Sequence, residues 1–232
     1  MEPRPRQLTL ELPLEPRFGA GDFLVARSNH VAYAMIERWP NWPGRVLLIT
    51  GPTGSGKSHL AAIFTHKARA QAVEAADLAS APLPVLAAHP ALVIEDIDRG
   101  PVAETQLFHL INLMAERGHF LVLTARQPLS AWGLATADLQ SRLRLAMNVE
   151  LALPDEALLR DVLVKLFADR QLTVEPPVVD YVALHIDRTL QAARDAVERL
   201  DREALSTGRR ITRALAAGVL APGEAVGEEE DL

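Results

Sequence analysis

The chain has 232 residues, 49% of them hydrophobic, a formal net charge of −6 and no cysteine. That length suits one large domain or two modest ones with a sizeable core. The missing cysteine excludes disulfides, thiolate zinc sites and a cysteine nucleophile, and no apolar run approaches the ~18 residues of a membrane span. Only 24 Lys and Arg are spread along the chain, which argues against a surface built to neutralise DNA phosphates. Cytoplasmic residence, no membrane partner and no structural metal site are the expectations.

Residues 1–20 read as an extended arm carrying Pro3, Pro5, Pro13 and Pro16. Within it, RQLTLELPL places Leu8, Leu10, Leu12 and Leu14 at the two-residue period of a strand, directly after Gln7. Periodicity leaves two readings open, an edge strand of the protein's own sheet or a peptide that another protein reads. From residue 21 strands and helices alternate. Segments 45–50, 91–94 and 120–124 are short apolar runs of the kind buried on both faces of a parallel sheet, 147–153 is a further strand, and a weaker one lies near Val73. Between them, 57–71 places Leu60, Ile63 and Phe64 on one helical side, and 103–117 does the same with Leu107, Leu110, Ile111 and Met114. The fold class expected for 21–153 is therefore α/β, a parallel sheet flanked by helices.

Beyond Pro154 the pattern is helical only. Segment 155–169 opens with acidic residues, a second helix follows Pro176-Pro177, and a third runs from Thr189 as N-cap to about Ser206, ended by Gly208. This predicts a small all-helical subdomain over 154–221, roughly 65 residues, an ordinary size for a companion domain. Residues 222–232 read as an acidic, disordered tail without apolar content to fold.

Gly51-Pro52-Thr53-Gly54-Ser55-Gly56-Lys57-Ser58 matches G-x-x-x-x-G-K-[ST] and lies between a predicted buried strand and a predicted helix, as phosphate binding requires. The glycines let backbone N–H groups turn onto phosphate oxygens, the helix adds its positive end, Lys57 is suited to the β- and γ-phosphates, and the Ser58 hydroxyl to Mg²⁺. Glu95 and Asp96 close the second buried strand, Glu95 placed for the metal and Asp96 for an attacking water. ADP or ATP with Mg²⁺ is the expected cofactor set.

GPTGSGKSHLA over 51–61, with His59 directly after the loop serine, VIEDID over 93–98 and DLQSRL over 138–143 together resemble the AAA+ module of the DnaA-related proteins. The resemblance spans about 21–221 and implies an AAA+ core followed by a helical lid. It implies that Phe23, Val25 and Asn29, within DFLVARSN over 22–29, help enclose the adenine, and that His59 is a further nucleotide-binding residue. It also implies that Arg142 is an arginine finger acting in trans on a neighbour's nucleotide, where a forked permanent cation suits spread phosphoryl charge. Two positions depart from the family pattern. Thr124 stands where a polar, often acidic, sensor is usual, and Gln191 stands near the sensor arginine of the lid, with Arg194 three residues further on.

An initiator of this family continues past its lid into a helix-turn-helix domain, and carries a long helical insertion before its second nucleotide motif. Here 72–90 is short and interrupted by Pro82, Pro84 and Pro90, and only the acidic tail follows Ala221. The resemblance is therefore closest to the family's regulatory inactivators, which recognise no origin sequence directly. It implies a negative regulator of chromosomal replication initiation whose Gln7, Leu8, Leu10 and Leu12 bind the sliding clamp, the β subunit of DNA polymerase. Docked there, and so nucleoid-associated, it would stimulate hydrolysis of DnaA-bound ATP, with weak ATPase of its own and homo-oligomers compatible with its trans geometry. An ATP-driven helicase or transposase loader of the DnaC or IstB type is the alternative, and a small-molecule P-loop kinase a more distant one.

Overall fold

The computed structural model describes residues 23–221. The arm with Gln7, Leu8, Leu10 and Leu12 and the acidic tail lie outside the described residues. The chain divides into two compact units between Asp155 and Glu156.

In the first unit, a turn over 23–29 leads into α1 (His30–Arg38), β1 (Val46–Thr50), α2 (Lys57–Ala68) and β2 (Gln71–Glu74). Two single-turn helices, α3 (Ala75–Leu78) and α4 (Leu83–Leu86), precede β3 (Ala91–Glu95). Next come α5 (Glu104–Glu116), β4 (Phe120–Ala125), α6 (Ala137–Arg144) and β5 (Met147–Glu150). The strands form one parallel sheet in the order β2-β3-β4-β1-β5.

Alternation along each strand explains why the runs are apolar throughout. Leu48, Leu92, Ile94, Leu121 and Leu123 pack on one face with Leu107, Leu110, Ile111 and Met114 of α5. Leu47, Ile49, Val93, Val122 and Val149 pack on the other, with Ile36 of α1 and Leu60, Ile63 and Phe64 of α2. Since β1 sits between β4 and β5 with β3 beyond β4, the phosphate loop and the Glu95-Asp96 pair emerge at the same carboxyl edge of the sheet. That edge is where ligands bind in open α/β sheets.

Among the described residues the second unit holds four helices, α7 (Glu156–Asp169), α8 (Pro176–His185), α9 (Leu190–Thr207) and α10 (Arg213–Leu220). Leu159, Leu163, Phe167, Val182, Val197 and Leu200 form its core. Thr189 caps α9 by accepting from Ala192 N at 3.0 Å, and Gly208 ends it in the left-handed conformation at φ 63°.

Several boundaries differ from the expectation. Helix α2 stops at Ala68 rather than 71, because Arg69 turns left-handed at φ 49° and Ala70 N bonds back to Thr65 O, freeing the chain to enter β2. Strand β5 ends at Glu150, not 153, although Leu151 N still reaches Thr50 O. Among the described residues the second unit has a fourth helix, α10, only eight residues long, whose start is marked by Thr212 accepting from Leu215 N. Among the described residues no helix is long and apolar enough to cross a membrane.

Candidate nucleotide site

Strand β1 delivers the chain into 51–56 under tight constraint. Gly51 has φ 150°, and a Cβ there would lie 2.3 Å from the carbonyl oxygen of Leu151, so the loop starts where only glycine fits. Gly56 is the N-cap of α2 at φ 104° and supplies no side-chain cap. Gly56 therefore leaves the first turn of α2 without a side-chain cap, and that turn carries the positive end of a twelve-residue helix. The Ser55 hydroxyl is buried and has no hydrogen-bond partner among the described residues. A helix end and a buried hydroxyl left this way suit an anion with several acceptor oxygens.

Lys57 is only 6% exposed, and its ammonium donates to Gly51 O at 2.7 Å and Pro52 O at 3.0 Å, so it spans the loop that it follows. Burial lowers its pKa; the carboxylates of Asp96, Asp98 and Glu95 oppose that, and the guanidinium of Arg126 adds to it. Ser58 is exposed and its hydroxyl hydrogen-bonds Glu95. Burial raises the Glu95 pKa, with Glu74, its register partner on β2, and Asp96 pushing the same way, while the Ser58 bond counters them. A hydroxyl and an acid so paired are a suitable donor set for Mg²⁺ beside a phosphate chain.

Asp96 stands just beyond β3 in the left-handed region at φ 54°. Its N–H donates to Thr124 Oγ1 at 2.9 Å and the next N–H, of Ile97, donates to Thr124 O at 2.9 Å, which holds this strained turn against the end of β4. The position expected for a sensor is thus occupied by a buried structural hydroxyl. The Asp96 carboxylate pairs with Arg126 at 3.2 Å, and Arg99 Nη1 lies 3.9 Å from the same oxygen. Asp98 accepts the backbone N–H groups of Arg126 and Gln127 at 2.8–2.9 Å. Asp98 and Arg126 were not legible as site residues; their signal is a charge within three residues of the end of each of two buried strands.

The turn over 23–29 lies beside this edge, with Ala152 N donating to Ser28 O at 3.3 Å. Phe23 is buried, stacked on Tyr33 at 5.3 Å between centroids and edge-to-face with His59 at 5.1 Å. Asn29 orders the turn, accepting from Ala26 N at 2.8 Å and donating to Leu24 O at 2.9 Å. Val25 is exposed. So Phe23 and His59 meet, and Asn29 shapes the segment that brings them together.

Arg142 lies in the last turn of α6, exposed and with no ion pair among the described residues. Leu139 and Leu143 of the same helix are buried in the core, which fixes the face that Arg142 presents. Leu145, three residues on, is 84% exposed. Gln191 and Arg194 belong to the second unit. Gln191 donates to Asp195 at 2.7 Å, and burial lowers the Arg194 pKa.

No family model matches the chain. Over 236 residues, 91% of the chain, it is 24% identical to the chromosomal replication initiator protein DnaA of Limosilactobacillus reuteri. Domain III of the Thermotoga maritima replication initiation protein DnaA superposes with a TM-score of 0.76 at 21% identity, covering 90% of this chain and 98% of that one. The chain has the fold of DnaA domain III and is similar in sequence to DnaA initiators. It spans about half the length of the curated DnaA relatives it matches, 54–55% of three of them. AMPPCP-bound DnaA from Aquifex aeolicus has the same fold, with a TM-score of 0.71 at 18% identity over 83% of this chain and 67% of that one. In this chain the start of α2, the orphaned Ser55 hydroxyl and the Ser58-Glu95 pair fit a magnesium nucleotide.

Proposed function

We propose that this chain is a nucleotide-bound regulator of replication initiation that lowers the supply of ATP-loaded DnaA, the reading closest to Hda, the regulatory inactivator of DnaA. Gly51 to Ser58 hold the phosphates of ADP or ATP, Ser58 and Glu95 hold Mg²⁺, and Asp96 orients water. Phe23, Val25, Asn29 and His59 form the base side. Bound nucleotide supplies charge that pins the phosphate loop and the uncapped start of α2 in place.

The observation that carries the regulatory reading is Arg142. A guanidinium that is exposed, held by a helix with a buried opposite face and without an ion pair among the described residues is available to a second protein's phosphates. Removing such an arginine finger costs ~10³ or more in rate where it acts, on the order of the effect seen in other phosphoryl-transfer enzymes. Gln7, Leu8, Leu10 and Leu12 serve as a tether to the sliding clamp, an extended peptide whose alternate leucines enter an apolar pocket.

The test mixes the full chain with clamp-loaded DNA and ATP-DnaA and follows hydrolysis of the DnaA-bound ATP. Stimulation that disappears with Arg142→Ala and weakens with Gln7→Ala/Leu10→Ala is expected. No stimulation, or full stimulation by Arg142→Ala, overturns the reading. Strong ATP turnover by the isolated chain, unaffected by clamp or DnaA, would favour the loader.

A further inference from the structure

We propose that the chain's own acidic segment, residues 224–231, docks in cis in an arginine-lined cleft of the second unit. None of the residues involved belongs to the nucleotide site, so the inference stands apart from the nucleotide reading.

The cleft arises from helix spacing and one left-handed turn. On α9, Ala193, Ala196, Val197 and Leu200 face the core, which leaves Arg199, Arg202 and Glu203 together on the solvent side. Gly208 then turns the chain at φ 63°, and Arg209 N donates to Ala204 O at 3.2 Å, which brings Arg209 and Arg210 into the same cleft. The other wall is α10, where Ala214 and Gly218 share a face and leave room; a Cβ at Gly218 would meet nothing within 4 Å. Arg199 donates to Val219 O and so ties the last turn of α10 to α9. The resulting cleft, about 910 Å³, sets four arginines against one glutamate in a chain whose net charge is −6. All four arginines are exposed. Arg202 pairs with Glu198 at 3.0 Å, whereas Arg209 and Arg210 make no ion pair among the described residues.

Charge, connectivity and length together name the occupant. Glu224, Glu228, Glu229, Glu230 and Asp231 are the charged residues of 222–232, with no cation among them. Helix α10 is itself a wall of the cleft, so the chain passes from that wall directly into the acidic segment. Glu228 lies seven residues past Ala221, a reach of about 23 Å, whereas α10 is only about 12 Å long. The run 228–231 is therefore long enough to turn back along α10 as far as Arg209 and Arg210. Carboxylates match the forked guanidinium donors. One exposed ion pair contributes little, but the tether gives the segment an effective concentration of roughly millimolar, and several pairs form together. A polyanion from solution has to displace it to reach the arginines.

The experiment measures distance in the full chain. Since the sequence has no cysteine, Leu184→Cys, at an exposed position of α8, and Leu232→Cys take spin labels at those two positions alone. Pulsed electron paramagnetic resonance at low salt should give one narrow distance, and about 1 M salt should broaden it by screening the charges. Arg209→Glu/Arg210→Glu should broaden it as well, and adding Glu228→Lys/Glu229→Lys/Glu230→Lys/Asp231→Lys should narrow it again. A second readout uses Glu228→Gln/Glu229→Gln/Glu230→Gln/Asp231→Asn, which should bind a labelled single-stranded oligonucleotide about tenfold more tightly than the wild type does at low salt. A broad distribution without the arginine substitutions, or a narrow one indifferent to salt and to arginine charge, overturns the proposal. So does a narrow distance that vanishes on dilution with unlabelled chain, which would place the segment on a second copy. A wild type that binds the oligonucleotide as tightly as the neutralised variant leaves the arginines open to phosphates and overturns it too. Where Arg209→Glu/Arg210→Glu fails to fold, the neutralised variant decides, since it alters none of the described residues and an unchanged narrow distance in it also overturns the proposal.

Discussion

The hydroxyl of Thr124 accepts the backbone N–H of Asp96 at 2.9 Å, so the end of β4 holds the left-handed turn that follows β3. Thr124 is 1% exposed, and its loss would leave that N–H without a partner. Thr124→Val keeps the shape and removes the acceptor, and should cost about 1–3 kcal/mol of unfolding free energy. Thr124→Ser should recover most of it. Urea denaturation of the three proteins decides; a valine variant as stable as the wild type would show that the bond does not hold the turn.

Gly51 should tolerate no side chain. The Cβ of Gly51→Ala would collide with the Leu151 carbonyl, a backbone atom that cannot swing aside, at a φ that alanine rarely adopts. A loss of about 3 kcal/mol or more is expected, together with loss of nucleotide binding, from strain plus displacement of β5. Thermal unfolding alongside labelled-ADP binding tests this, and an alanine variant with normal stability would contradict the close approach.

Glu95 makes the unliganded protein sensitive to pH. Burial holds its carboxyl above the ordinary value of 4.5, so the native state binds this proton more tightly than the unfolded chain does. The stability it contributes is present in full below pH 4.5 and falls as pH rises from there through the raised native value. Glu95→Gln removes this dependence. The melting temperature of the variant should gain on the wild type as pH rises from about 4 to about 8, and a constant difference between the two would refute the assignment. Mg²⁺ with nucleotide favours the ionised carboxylate and should reduce the gap.

Arg142→Ala should separate fold from function. The side chain is exposed and the packing of α6 rests on Leu139 and Leu143, so stability should stay within about 0.5 kcal/mol of the wild type. Binding of labelled ADP to the chain's own site should also be unchanged, while stimulation of DnaA-bound ATP hydrolysis is lost. Reduced binding in cis would place the arginine at the wrong site.

Thr189→Ala offers a control confined to the second unit. Removing the hydroxyl that accepts from Ala192 N should cost about 1 kcal/mol through the start of α9. Circular dichroism during urea unfolding reads it, and an unchanged midpoint would mean that the cap contributes nothing.

Much of the core was legible because its physics is local. The strands at 46–50, 91–95 and 120–125 are buried on both faces, so each must be an apolar run, and such runs stand out in a sequence. The phosphate loop was legible for a similar reason: backbone approach to phosphate demands glycines at set spacing next to a helix start. Helix α10 escapes a reading by pattern because its eight residues make only about two turns, too few to establish a period, and the expected α2 is too long because nothing local to 69–71 announces the left-handed stop at Arg69.

The sequence by itself determined the alternating α/β core, the helical companion and the Gly51–Ser58 loop with its Glu95-Asp96 pair, since each is written in short contiguous stretches. Only the tertiary structure decided the strand order, the structural duty of Thr124 and the pairing of Arg126 with Asp96. Those depend on residues about thirty positions apart meeting across adjacent strands, and the chain carries no local record of which strands will lie side by side.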